Sequence, residues 1–87
     1  DFRPESHSLA IELRYPRYSE HLHLILNAYW EPLTFALPLL SDGQRFHQIV
    51  DTGLFPPLDY SDPEHAPPVL GTSYTAQPRS TVILSAR

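Results

Sequence analysis

Eighty-seven residues suffice for one small domain, and 41% hydrophobic with 11% aromatic residues supply material for its core. With 18% charged residues and a net charge of −4, the chain is too apolar for compositional disorder. It carries six arginines, no lysine and no basic cluster, which argues against nucleic acid. The absence of cysteine excludes disulfides and cysteine-ligated zinc, and no apolar run reaches the roughly 18 residues of a membrane-spanning segment.

The sequence holds no methionine and starts Asp1-Phe2-Arg3-Pro4. We therefore expect a processed product or, preferably, a piece of a longer protein, organised as one domain over residues 1–87.

Ten prolines leave only Arg17 to Glu31 and Leu39 to Phe55 as long uninterrupted stretches. Proline inside a helix costs about 3 kcal/mol, so strands and turns fit this spacing better than a bundle. Leu9, Ile11, Leu13 and Tyr15 alternate with Ser8, Ala10, Glu12 and Arg14, the period of a half-buried strand that Pro16 ends. From His21 to Ala28 the pattern fits a strand through Leu22, Leu24 and Leu26, and also a helical stripe through Leu22, Ile25, Leu26 and Tyr29. Its shortness and strand-like neighbours favour the strand.

Leu33 to Leu37 alternates cleanly between Pro32 and Pro38, and Ser41-Asp42-Gly43 has turn chemistry. Phe46 to Thr52 reads as a fourth strand whose adjacent Ile49 and Val50 mark a bulge. Gly53 to Gly71 contains five prolines and three carboxylates with little apolar periodicity, so it is expected to be the least ordered part or to be held by another domain. Ser73 to Ala76 and Ser80 to Ala86 complete about six short strands, an antiparallel two-sheet β-sandwich of Greek-key-like connectivity. Its expected core is Leu9, Ile11, Leu13, Leu22, Leu24, Leu26, Leu33, Phe35, Leu37, Val82 and Leu84.

Glycines only at 43, 53 and 71 leave no P-loop, dinucleotide fingerprint or nucleophile elbow. His21 and His23 share one strand face and, with His47, have the composition of an open zinc centre. The plainer reading puts both on the solvent face opposite Leu22 and Leu24, and no metal or cofactor is assigned. Asp59, Asp62, Glu64 and His65 read as a solvated acidic loop, since calcium loops need glycine-turned backbone where this stretch has proline. Tyr29 and Trp30 have the flat faces on which sugars stack, but they share a platform only in a turn; burial against a neighbouring domain is the favoured alternative.

The run Leu24-Ile25-Leu26-Asn27-Ala28-Tyr29-Trp30-Glu31-Pro32-Leu33-Thr34-Phe35-Ala36-Leu37-Pro38 resembles the C-terminal domain of glycogen debranching enzymes of the isoamylase type. Ser8-Leu9-Ala10 matches that domain's opening, Ile49-Val50-Asp51-Thr52 is similar to its valine-aspartate-threonine strand end, and Arg79-Ser80-Thr81-Val82-Ile83-Leu84 to its closing strand. The segments occur in order across nearly the whole chain; Phe46 stands where the family often has tryptophan. The resemblance implies a non-catalytic accessory domain whose partner is the catalytic (β/α)8 barrel of the same polypeptide. For the parent it implies hydrolysis of α-1,6 branch linkages in a glycogen-like α-glucan, in the cytoplasm. The family's catalytic residues belong to barrel motifs that no stretch here matches, so none is carried over. A carbohydrate-binding module using Tyr29 and Trp30 is the alternative.

Overall fold

The computed structural model describes residues 7–15 and 20–87, and all regular structure among them is strand. Six strands follow in chain order: β1 (Ser8–Tyr15), β2 (Glu20–Asn27), β3 (Leu33–Ala36), β4 (Phe46–Asp51), β5 (Ser73–Ala76) and β6 (Ser80–Ala86). They form two antiparallel sheets, one of order β1-β2-β6-β4 and a small one pairing β3 with β5. Residues 20–27 are strand, and the helical alternative does not occur. The bulge of β4 falls between Gln48 and Val50, where Ile49 interrupts alternation. Pro16, expected to end β1, lies outside the described residues.

The smaller sheet covers the larger one on a single face. Ile25, Phe46, Ala76, Val82, Leu84 and Ala86 form the buried core, with Phe35, Leu37, Leu40, Val69 and Tyr74 packed around it. Val82, Leu84, Phe35 and Leu37 thus stand where the sequence puts them, and Leu33 is half-buried.

The β1 and β2 leucines do not. Leu9, Ile11, Leu13 and Leu26 are exposed and Leu22 and Leu24 only half-buried, because all six lie on the outer face of the four-stranded sheet. The inner residues of β2 are His21, His23, Ile25 and Asn27, all buried. Period-2 spacing fixes which side chains share a face, not which face receives the second layer. Here the leucine-bearing face of β2 is the more apolar one, yet the small sheet packs on the other: β5 lies against β2 and β6 and is bonded to Asp51 of β4, while β1 stays exposed.

The loop after Gly53 is also more tightly held than its composition implies. Asp51 N donates to Asp59 O and Ser61 N to Ile49 O, and farther along Gln48 N donates to Pro67 O and Val69 N to Phe46 O. Two stretches of the loop therefore lie along the outer edge of β4, as isolated bridges Val50 with Tyr60 and His47 with Pro68. Gly53 lets the loop start against the β5–β6 turn: a Cβ there would fall 2.6 Å from Gln77 Cβ.

Candidate functional site

Asn27 organises the turn that carries the two candidate aromatics. Its amide is fully buried, its Nδ2 lies 3.0 Å from Glu31 O and 3.1 Å from both Ala76 O and Gln77 O, and its Oδ1 accepts from Tyr29 N at 2.9 Å. One side chain thus closes the β2–β3 turn and fastens it to the end of β5. Arg79, in left-handed conformation at φ 52°, adds a bond from its N–H to Tyr29 O. Asparagine closing an alternating strand is the sequence signal for such a turn.

Tyr29 and Trp30 lie in this turn but form no shared platform. The Tyr29 ring is only 8% exposed, stacked on His7 at 5.9 Å and tilted 54° from Trp30. Trp30 is 60% exposed. Tyr29 therefore buttresses the turn, and Trp30 alone offers its surface to a partner. A shallow groove of about 340 Å³ lined by Leu26, Ala28, Arg79, Ser80 and Thr81 opens at the same end of the sheet.

The histidines separate. His21 and His23 are on the inner face, against Phe46 at ring distances of 5.5 and 5.8 Å. His47 lies on the outer face, where it pairs with Ser85 across β6, its Nδ1 3.0 Å from Arg45 O. A three-histidine zinc centre is therefore not formed, nor do His21 and His23 decorate a solvent face. Both His23 ring nitrogens are buried without a hydrogen-bond partner, and this burial holds the His23 pKa below the ordinary imidazole value. Glu12 of β1 stands 3.4 Å from His21 Nε2. Among the described residues no group of three or more His, Asp or Glu side chains is arranged to hold a metal ion, the Asp59, Asp62, Glu64 and His65 stretch included.

A further feature is the outer face of the four-stranded sheet. The strand registers place Ile11, Leu24, Ile83, Val50 and Tyr60 side by side in one row across β1, β2, β6, β4 and the loop. At about 4.8 Å per strand this row is about 19 Å across. Leu9 and Leu26 flank it on one side and Leu13 and Leu22 on the other, with Thr81 and Ser85 as the polar members on β6. This contiguous apolar face is the candidate interaction surface of the domain. The chain matches no protein-family model and no curated protein sequence.

Proposed function

We propose that this chain is a non-catalytic accessory domain of a cytoplasmic debranching enzyme of the isoamylase type, and that it stabilises the catalytic barrel of the same polypeptide. The observation that carries this reading is the uncovered row Ile11–Leu24–Ile83–Val50–Tyr60. A small sandwich gains nothing in isolation from an apolar outer face, whereas a second domain laid over it buries that face. The order of the family-like segments supports a catalytic barrel as that neighbour, and the α-1,6 chemistry on α-glucan is proposed for that barrel.

Leu24→Asp tests the reading. In the isolated chain Leu24 is half-buried on the open outer face, so the substitution should lower stability modestly and still leave a folded domain. In the parent enzyme it should lower the denaturation temperature and soluble yield, while the enzyme that folds keeps most of its turnover. An unchanged denaturation temperature would count against barrel docking.

The exposed Trp30 favours a second reading, in which the domain itself holds α-glucan by ring stacking. Titration of the isolated chain with glycogen separates the two. Binding that weakens severalfold on Trp30→Ala, with parent stability untouched, would install the binding-module reading instead.

A further inference from the structure

The two edges of the four-stranded sheet are treated differently. The β4 edge is paired by loop residues through Val50 with Tyr60 and His47 with Pro68. The β1 edge has, among the described residues, no strand or loop hydrogen-bonded to its outer side. Yet β1 is eight residues long, pairs with β2 without a bulge from Ser8–Asn27 to Tyr15–Glu20, and is exposed along nearly its whole length. Natural edges of this length are blunted by proline, lysine, a bulge or inward-pointing charges; Ser8–Tyr15 has no proline, lysine or bulge, and its inward-pointing charges are one acid and one base that can complement a second copy.

Its only charges are Glu12 and Arg14, on the inner face and joined to each other at 2.6 Å. The geometry points to β1 as a self-pairing edge, joining two copies of this chain into one eight-stranded antiparallel sheet centred on Leu13. Two copies related by a two-fold axis must pair residues of equal parity to keep their faces aligned. Centring on Leu13 sets Glu12 opposite the other copy's Arg14, and Arg14 opposite its Glu12. On the outer face it sets Leu13 against Leu13 and Ile11 against Tyr15. Centring on Glu12 instead would oppose two glutamates, and centring on Ile11 would leave both charges facing Ala10 and Ser8. Charge complementarity thus selects one register, and the occupant of this edge is a second copy rather than an unrelated strand.

The test is sedimentation velocity of the 87-residue chain over a wide concentration range, with charge reversals. Wild type should show a concentration-dependent dimer. Glu12→Arg and Arg14→Glu should each weaken the dimer about tenfold, because two attractive cross-strand pairs become repulsive. The double reversal Glu12→Arg/Arg14→Glu should restore it. Circular dichroism and a cooperative melt establish that each variant is folded, and either single variant suffices if the other is not. A monomer at every concentration overturns the proposal. So does a dimer indifferent to the single reversals, or one that the double reversal fails to restore.

Discussion

Tyr74 of β5 donates its hydroxyl hydrogen to the Asp51 carboxylate of β4, tying the small sheet to the large one. The other Asp51 oxygen accepts from Gly53 N at 2.9 Å, so one buried carboxylate fixes both the sheet packing and the start of the long loop. Burial and the neighbouring carboxylate both push the Tyr74 hydroxyl pKa well above that of a free tyrosine.

Tyr74→Phe should cost about 1–3 kcal/mol, since it leaves a buried acceptor short of its donor. The same change should alter the alkaline limb. Wild-type Tyr74 stays protonated when folded and ionises near pH 10 when unfolded, so its stabilisation is complete below about pH 10 and declines above it. Urea titrations above that pH should show a shallower decline for Tyr74→Phe. An identical alkaline slope would refute the linkage.

Asn27 should tolerate no isosteric replacement. Asn27→Asp keeps shape and acceptor but sets a carboxylate against the carbonyls of Glu31, Ala76 and Gln77. A loss of about 2–4 kcal/mol is expected, matching or exceeding Asn27→Ala. Denaturant midpoints for the two variants check the order.

His23 is a buried base whose unfolded form gains a proton more readily than its folded form. Its contribution is therefore complete above about pH 6.5 and is lost as pH falls through the depressed folded value. His23→Leu replaces an unpartnered imidazole by an apolar side chain against Phe46. It should be neutral or stabilising at pH 7, by up to about 1–2 kcal/mol. It should also flatten the stability profile between about pH 6.5 and 5, above the carboxylate range. Chemical denaturation across that interval reads both effects.

Leu84 and Leu24 separate covered from uncovered sheet face. Leu84→Ala should cost the isolated chain about 2–5 kcal/mol because the side chain is fully enclosed. Leu24→Ala, on the half-open outer face, should cost under about 1.5 kcal/mol. Equal losses would mean that the outer face is packed as a core.

That contrast also shows where the sequence was legible. Proline spacing and alternation located all six strands, and the adjacent Ile49 and Val50 located the bulge, because these depend on local backbone sterics. The inner and outer faces of β2 were inverted because a leucine row on the outer face has the same period as one facing the core. Histidine at 21 and 23 reads as a polar face, yet its ring packs on Phe46 as an aromatic does. The anchoring of the Gly53–Gly71 loop was invisible because its bonds are main-chain to main-chain, indifferent to side-chain type. Tyr29 and Trp30 do lie in the turn that a shared platform would require, but which ring is buried depends on His7, Asn27 and Arg79, brought together only by the fold.

The central claim is that the outer face of the four-stranded sheet is covered by another domain of the same polypeptide. Hydroxyl-radical footprinting of side chains, in the parent protein and in the isolated chain at equal dilution, tests it most directly. Leu24, Ile83 and Tyr60 should be protected severalfold in the parent, while Leu39 and Phe55, which belong to no strand and are nearly fully exposed, should oxidise at equal rates in both. Equal oxidation of Leu24, Ile83 and Tyr60 in parent and isolated chain would contradict the claim.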